Sequence, residues 1–561
     1  MKILLKFRIG VVFLGVLIIA LHPIHGQPVY NYVSGSGDYY DTLSINGVKY
    51  WFSTNGSTGT HPYDTLWADQ QRIGIVYPAG SSKGLSYTEG FLLCGWLEND
   101  IRAVGSYYAD VMQAGRILPS GVPNEKRDAK NRIYRVRNLS NLEFINLPPH
   151  LQAQCRTDFL EYPVDLGAPY IDRNGNGVYD PDFYAWLTDK SSSDAPRIQG
   201  DEMLWYVMND LDSSRVYRLF DMTPIGMEVQ VTAWQYKSRY PLTTFIQYKV
   251  INKGQHTFPE AYFLRYADSD IGLEYDDYTG VDTTLQMMYF YNGQAYDSVY
   301  EATPPVVATK LLAGPVELHA GSEALFDLTP LSGYRNMEMS SYTYLPQSGT
   351  GVYEVPSTAA KYGAVMWYNY LQRTFWNERP YIDLTTEMEC EYPMAGYPEE
   401  YIGWYDGYFF SPGPRSGGLG TGPFVFAPGD TQTVVYAHMV IPFRDSINAT
   451  LADMRLYAAE VQRTVTSTAA PETPSSFALG QNYPNPVTNG RTVVRYSLDR
   501  PEEVSIRLYD LLGRLVQTAE YGRLGAGEHQ AELQLNTLRP GVYYYILSAG
   551  GRSAAKMMMV R

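Results

Sequence analysis

Residues 477–486 of this 561-residue chain read FALGQNYPNP, and residues 541–545 and 556–561 read GVYYY and KMMMVR. Each proline of the first stretch holds the residue before it in extended geometry, so this stretch is not helical. Between these stretches, turn residues separate short runs in which apolar and polar residues alternate, at 492–498, 504–508 and 531–535. The pattern predicts six or seven short strands in about eighty residues, a small Ig-like sandwich over residues 477–561.

Four motifs of this tail follow in order: QNYPNP at 481–486, LYDLLGR at 508–514, PGVYYY at 540–545, and the terminal strand with its basic flanks. Together they resemble the type A sorting domain of type IX (Por) secretion, which is similar to the Ig-like domain of flagellar hook-capping proteins. The resemblance implies two partners for residues 477–561, an outer-membrane translocon and a sortase-like peptidase. It also implies export through the periplasm to the extracellular space or the outer cell surface, with attachment to surface lipopolysaccharide. A plain C-terminal Ig module is the alternative.

The N-terminus has the features of a secretory signal peptide over residues 1–26. Lys2, Lys6 and Arg8 precede an apolar run at 9–21 that is too short to span a membrane comfortably. Cleavage before Gln27 fits this pattern, and an uncleaved anchor is the alternative.

The charge of the chain is concentrated in its middle. The net charge is −15, while the signal segment is positive and the tail slightly so. The cargo between them is therefore strongly acidic, which argues against nucleic acid as a partner because phosphates would be repelled. An acidic surface suits solvation and divalent cations.

The segment 172–182, DRNGNGVYDPD, has the spacing of a calcium-binding loop. Oxygen-bearing side chains recur at alternate positions, a glycine at position 6 permits the sharp turn, and the carbonyl at position 7 adds a ligand. The predicted ligands are Asp172, Asn174, Asn176, Val178, Asp180 and Asp182. Position 12 is Phe183 rather than the glutamate of an EF-hand, so the segment resembles the shorter calcium loops of secreted proteins. The alternative is an Asx-rich turn held by its own side chains.

A second acidic segment follows a predicted strand. Its five aspartates are candidates for a further cation site: Asp268, Asp270, Asp276, Asp277 and Asp282. A solvated acidic loop is an equal alternative. A pair of catalytic carboxylates is another, but the separation that a glycosidase needs is not encoded in the spacing.

The sequence of the cargo predicts mostly β structure. We expect an N-terminal β-rich region at 27–160, a β-sandwich cargo domain at 161–463, and a linker at 464–476. Apolar residues from Ile447 to Val461 recur at helical spacing and predict one helix before the Ig-like tail. GAPYIDRNGNGVYDPD (167–182), GDEMLWYVMNDLD (200–212) and FAPGDTQTVVYAHMV (426–440) resemble a recurrent class of large cargo proteins with the same sorting domain, which implies one architecture but no reaction.

Other motifs indicate little chemistry. GSSKG at 80–84 fits the G-x-S-x-G pattern of a hydrolase nucleophile elbow, but a surface loop is the simpler interpretation because little of the downstream sequence alternates strand with helix and Pro78 crowds the turn. Cys94, Cys155 and Cys390 lack metal-ligand spacing and permit either one disulfide or three free thiols. The aromatic residues at 352–410 could form a sugar-binding platform or fill a core.

From these patterns we predict a secreted or cell-surface protein of multidomain β-sandwich fold, non-enzymatic, with calcium-stabilised loops and a glycan or matrix ligand. No catalytic residue is predicted. The alternative is a secreted hydrolase acting on polysaccharide, which would need a cleft with two carboxylates.

Overall fold

The computed structural model describes residues 32–34, 36–61, 74–125, 128–346 and 353–465, and the tail from 477 apart from 481, 483–484, 488–489, 499, 501, 511–513 and 526. The predicted signal peptide at 1–26 lies outside these residues. So does the predicted linker at 464–476, except for 464 and 465, which end a helix. The described residues before 467 and those after it form two compact units.

The larger unit contains 25 strands, numbered in chain order: β1 Tyr32–Val33, β2 Tyr39–Leu43, β3 Lys49–Ser53, β4 Ile75–Val76, β5 Gly84–Ser86, β6 Thr88–Leu97, β7 Asp100–Ser106, β8 Gln113–Ala114, β9 Tyr134–Arg137, β10 Tyr170–Ile171, β11 Ala195–Pro196, β12 Glu202–Asn209, β13 Met227–Gln235, β14 Thr243–Asn252, β15 Phe258–Asp268, β16 Asp277–Asp282, β17 Met287–Asn292, β18 Val306–Ala313, β19 Val316–Phe326, β20 Thr329–Asn336, β21 Met339–Pro346, β22 Tyr381–Asp383, β23 Met388–Cys390, β24 Arg415–Phe426 and β25 Thr431–Ile441. Its helices are α1 Asn141–Ile145, α2 Pro149–Leu160, α3 Phe183–Thr188, α4 Ser213–Val216, α5 Tyr362–Leu371 and α6 Ile447–Val465, with 3₁₀ turns at Ala129–Asn131, Val164–Leu166 and Glu274–Asp276. With 46% of the chain in strands and 13% in helices, the predicted mostly-β class is confirmed.

Two antiparallel sheets dominate the larger unit. One has the order β16-β17-β18-β25-β14-β13-β12-β8, with β9 also paired to β12; the other has the order β21-β24-β15-β6-β7. A smaller ribbon, β1 to β5, follows chain order. Strand β6 pairs with β15 over eight residues, so the stretches that we predicted as separate regions, 27–160 and 161–463, contribute strands to the same sheets.

The nine-stranded sheet is buried on both faces. In β12, Leu204, Tyr206 and Met208 point into the core shared with the five-stranded sheet. The alternate residues Met203, Trp205 and Val207 point into a second core, which is covered by α2, α3 and α6. This explains the near-continuous apolar sequence of β12, which a half-exposed strand would not need.

Helix α6 confirms the predicted helix at 447–461, with Leu451, Met454 and Ala458 fully buried. The structure adds five helices that the sequence did not reveal. In α5 almost every side chain is buried, so no polar face marks its period. In α2 the buried residues Cys155, Asp158 and Phe159 include a charged one, which interrupts the apolar stripe.

A buried arginine joins three groups of strands in the larger unit. Arg265 of β15 is 1% exposed and forms an ion pair with Glu89 of β6. Its guanidinium also donates to the hydroxyls of Tyr50 in β3, at 2.7 Å, and Tyr248 in β14, at 2.8 Å. Because both charges are fully desolvated, each depends on the other and on these tyrosines.

The described residues of the tail unit form seven strands: β26 Ala478–Leu479, β27 Arg491–Leu498, β28 Glu502–Asp510, β29 Leu515–Leu524, β30 Gly527–Gln534, β31 Gly541–Ala549 and β32 Arg552–Val560. They form a three-stranded sheet, β26-β27-β30, and a four-stranded sheet, β29-β28-β31-β32. Alternate residues of both sheets, such as Val494, Ile506 and Tyr545, fill one core. The tail is therefore a small sandwich of the size that its sequence predicts.

The first prediction concerns Arg265. The Arg265→Ala variant leaves Glu89 buried without its cation, so we expect the free energy of unfolding to fall by about 3–5 kcal/mol. Arg335→Ala is the matched control, because Arg335 pairs with Glu317 at 2.7 Å on the surface and is 55% exposed. That control should lose less than about 1 kcal/mol. Denaturant unfolding of the two variants checks this, and equal losses would contradict it.

Candidate functional site

The calcium-type segment is an exposed loop between β10 and α3. The Asp172 carboxylate is turned into the loop and accepts the backbone N–H of Gly175 at 2.7 Å and that of Gly177 at 2.8 Å. Gly177 has a φ of +75°, a left-handed conformation that favours glycine at this turn. The backbone therefore curls around the Asp172 side chain, as the spacing predicts.

Three of the predicted ligands meet inside this curl. The amide nitrogens of Asn174 and Asn176 donate to the two oxygens of Asp180, at 3.0 and 3.3 Å respectively. The Asn174 amide oxygen accepts the N–H of Asn176 at 3.0 Å, so this side chain is held in place by the backbone of the loop. Val178 donates its N–H to the Asn176 side chain, at 2.7 Å, and its own side chain is exposed.

Asp182 has another role in the structure. Its side chain accepts the N–H groups of Tyr184 and Ala185, both at 3.0 Å, and caps α3. A residue that the sequence did not indicate, Asp194, supports the loop instead and accepts N–H groups from Arg173 at 2.8 Å and Asp180 at 3.2 Å. Burial raises the pKa of Asp194, but these N–H donors outweigh it and hold the pKa below its usual range.

The five aspartates of the second acidic segment do not form one site. Asp282 pairs with Arg455 of α6, and Asp276 accepts the side-chain amide of Asn292 at 3.0 Å. Asp277 is buried and accepts the N–H of Ile271 at 3.1 Å. Only Asp268 and Asp270 line an open cavity. Among the described residues, no three His, Cys, Asp or Glu side chains are arranged to hold a metal ion.

That cavity, which we name the acidic cleft, has a volume of about 490 Å³. It is lined by Asp268, Asp270 and Glu274, by the rings of Tyr87 and Tyr108, and by Val355 and Pro414. Asp268 ends β15, Tyr108 follows β7, and Tyr87 lies between β5 and β6, so the cleft is at one end of the five-stranded sheet. Glu274 was not predicted as a site residue, although it lies within the second acidic segment, between Asp270 and Asp276.

No described basic side chain lines the acidic cleft beside its carboxylates. Asp268 is 3% exposed; its Oδ2 accepts the hydroxyl of Tyr108 at 2.6 Å, while its buried Oδ1 accepts no hydrogen bond. Burial raises the pKa of Asp268 to about 7, against the lowering effect of the Tyr108 hydroxyl. Burial and the charges of Asp268 and Glu274 raise the pKa of Asp270 well above its usual range.

The other candidate motifs carry no chemistry in the structure. GSSKG at 80–84 is the turn of the hairpin formed by β4 and β5, with no helix after it, so it is not a nucleophile elbow. The three cysteines are free, with Cys94 and Cys155 buried and Cys390 half-buried. Trp367 and Trp404 are buried in the core and do not form an exposed sugar-binding platform. No described helix is long and apolar enough to cross a membrane.

In the tail unit, the separate sequence motifs contact one another. The Tyr545 hydroxyl, from PGVYYY, accepts the N–H of Asn482 and donates to the carbonyl of Gly480, both at 2.8 Å. The Asn485 side chain accepts the N–H of Met559 in the terminal strand at 2.8 Å. Residues 481–561 match the family described as the secretion system C-terminal sorting domain. The tail is a C-terminal sorting domain. The chain is thus a type IX secretion cargo protein that is exported to the cell surface or the extracellular space.

The remaining comparisons are distant. No curated protein matches the chain. A polysaccharide lyase is 8% identical, with a TM-score of 0.18, and the match covers 60% of this chain and 34% of the lyase. PorZ, a surface component of the type IX secretion system of Porphyromonas gingivalis, is 10% identical, with a TM-score of 0.11, and the match covers 96% of this chain and 60% of PorZ. The chain therefore spans about a third of the lyase and three-fifths of PorZ, and similarity at this level carries no functional statement.

The second prediction concerns the pH dependence of stability. Between about pH 4 and pH 7 the folded chain keeps a proton on Asp268 that the unfolded chain has lost, so this residue lowers stability as the pH rises. Asp268→Asn has no such proton. The difference in the free energy of unfolding, Asp268→Asn minus parent, should therefore increase from pH 4 to pH 7 by up to about 4 kcal/mol. Above pH 7 this difference should stay constant.

Unfolding of both proteins at a series of pH values measures this difference. Asp445→Asn is the control, since Asp445 is 87% exposed and its substitution should give no trend. A relative stability of Asp268→Asn that does not change from pH 4 to pH 8 would contradict the prediction.

The third prediction concerns sorting. In a host with type IX secretion, deletion of the chain from Ala478 onward should leave the cargo in the periplasm. Tyr545→Phe, which removes the hydrogen bond to Gly480, should lower the secreted fraction, whereas Tyr544→Phe changes a 42% exposed neighbour and should not. Cell fractionation with immunoblotting distinguishes these results. Normal surface amounts of the truncated cargo would be incompatible with the assignment.

Proposed function

We propose that the larger unit is a non-enzymatic binding or structural protein displayed at the cell surface, with calcium stabilising its loop at 172–182. The observation that supports this is the meeting of the Asn174, Asn176 and Asp180 side chains inside a curl closed on Asp172. Carboxylate, amide and carbonyl oxygens are the ligands that Ca²⁺ prefers, at about 2.3–2.6 Å.

In this proposal Asp172, Asn174, Asn176 and Asp180 supply side-chain oxygens and Val178 its carbonyl. Asp182 contributes to the negative field of the site and caps α3 at the same time. Because two asparagines take the place of carboxylates, the site has less charge than an EF-hand and should bind calcium more weakly. Calcium is abundant outside cells, so weak binding suffices for a protein that works there.

The partners in this proposal follow from export. The tail engages the outer-membrane translocon and a sortase-like peptidase, and lipopolysaccharide attachment retains the cargo at the surface. A glycan or a matrix protein is the expected ligand of the cargo.

A secreted hydrolase acting on polysaccharide is the second candidate, and the acidic cleft is the observation that favours it. A carboxyl whose pKa is near 7 is suited to general acid catalysis, and Asp270 and Glu274 lie in the same cavity. Among the described residues, no tryptophan lines the cavity, which favours the binding protein over this alternative, since sugar-processing clefts stack their substrate on such rings.

The fourth prediction tests the calcium loop. A ligand that binds only the folded state raises stability by about 2.7 kcal/mol at a hundredfold excess over its dissociation constant, so excess calcium should raise the melting temperature relative to chelator. Asp172→Ala should abolish most of this shift because it removes the ligand around which the loop curls.

Asp189→Ala is the matched control. Asp189 is an exposed aspartate that accepts the N–H of Ser191 at 2.9 Å in a neighbouring turn, outside the curl. Its calcium shift should equal that of the parent. If melting is the same in calcium and chelator, and elemental analysis detects no bound metal, the loop is an Asx-rich turn only.

A further inference from the structure

The acidic cleft differs from the sites where this protein pairs a buried carboxylate with an arginine. Glu89 is paired with Arg265, Asp406 with Arg415 at 2.7 Å, and Asp41 with Arg135, all with side chains no more than 1% exposed. These pairs show how the fold compensates a desolvated carboxylate, by placing a guanidinium against it.

In the part of the chain that the structure describes, no cation compensates the carboxylates of the acidic cleft. None of the described residues that line the cavity is basic, and Asp268 has one oxygen that accepts no hydrogen bond although the residue is 3% exposed. Among the described residues Asp270 accepts no hydrogen bond, and Glu274 lies close enough to both aspartates to oppose their ionisation. Burial holds protons on these aspartates in the free protein, and a cation that enters the cleft favours their ionised form because it supplies the opposite charge.

The shape and lining of the cleft discriminate between kinds of cation. A bare metal ion needs several oxygens at one point, and no such group of acidic side chains exists among the described residues. The cleft has instead a volume of about 490 Å³ and two tyrosine rings, Tyr87 and Tyr108, with their centroids 6.3 Å apart. Aromatic faces attract ammonium and guanidinium groups, and a cavity of this volume admits the alkyl chain that carries one.

The position of Tyr108 is built into the fold. Its φ of +48° is unusual for a residue with a side chain, and its hydroxyl is fixed by Asp268. Its ring is nevertheless 40% exposed. The fold thus holds an aromatic face at the cleft in a backbone conformation that costs free energy, a feature typical of ligand sites.

We propose that the acidic cleft binds an organic cation, namely an ammonium or guanidinium group such as the side-chain end of a lysine or arginine. The cationic group lies between Asp270 and Glu274, with Asp268 behind them, and its alkyl chain packs on Tyr87 and Tyr108. The site is separate from the calcium loop and does not depend on it.

Calorimetric titration of the secreted protein tests this proposal. The probes are Nα-acetyl-lysine methylamide, Nα-acetyl-arginine methylamide, the neutral analogue Nα-acetyl-norleucine methylamide, pentylammonium and calcium chloride. We expect the two cationic amino-acid probes to bind at least about tenfold more tightly than the norleucine analogue, since one desolvated charge contact is worth about that factor. If pentylammonium binds as tightly as the lysine probe, a free alkylamine is sufficient for recognition. If it binds more weakly, the cleft recognises the cation as part of a peptide.

The variants locate the site. Asp270→Asn and Glu274→Gln should each weaken binding of the lysine probe about tenfold, because each removes one charge from the cleft. Asp445→Asn removes an exposed charge elsewhere and should leave the affinity unchanged. Glu274 is half-buried, so its variant remains informative if Asp270→Asn folds poorly. Equal binding of the lysine and norleucine probes, unchanged affinity in both cleft variants, or binding of calcium alone at the cleft would overturn the proposal.

Discussion

The ion pair between Arg265 and Glu89 constrains the whole of the larger unit. A guanidinium taken fully out of water is costly unless every donor finds an acceptor. Here Glu89, the hydroxyls of Tyr50, Tyr248 and Thr58, and the Gly90 carbonyl accept hydrogen bonds from its two terminal nitrogens, while its Nε–H has no acceptor among the described residues. Since these groups lie on both main sheets and on the N-terminal ribbon, a shift of one sheet against another would break the network. The ion pair and hydrogen bonds of Arg265, inside an apolar core, thus fix the position of one sheet against the other.

The same principle relates the fold to the proposed binding site. This chain buries carboxylates repeatedly and supplies a guanidinium for many of them, yet in the acidic cleft the lining contains none. The cleft lies where β15 ends, three residues beyond Arg265, so one strand carries both a compensated and an uncompensated charge. A sandwich with a large apolar core can hold such an uncompensated site because its stability comes from that core rather than from the cleft.

Local patterns in the sequence predicted the parts of the structure that depend on neighbours in the chain. The alternation at 492–498 and 504–508, the helical spacing of α6 and the curl around Asp172 all involve residues within a few positions of each other. The pairing of β6 with β15 joins residues more than 160 positions apart, and no local pattern reveals it. The acidic cleft depends on that pairing, because the pairing brings Tyr87, next to β6, close to Asp268 at the end of β15. Asp277 and Asp282 begin and end β16, an odd number of positions apart, so the pleat directs them to opposite faces and they do not share one site.

The central claim is that this exported protein binds its ligand at an anionic cleft and does not transform it. The most direct measurement is an array of glycans, matrix proteins and basic peptides, incubated with the secreted protein and examined both for retained protein and, by mass spectrometry, for released fragments. We predict retention on targets rich in lysine or arginine, weakened by salt because the contact is ionic, and no released fragment. Release of oligosaccharides that is lost in Asp268→Asn would contradict the account and identify a hydrolase.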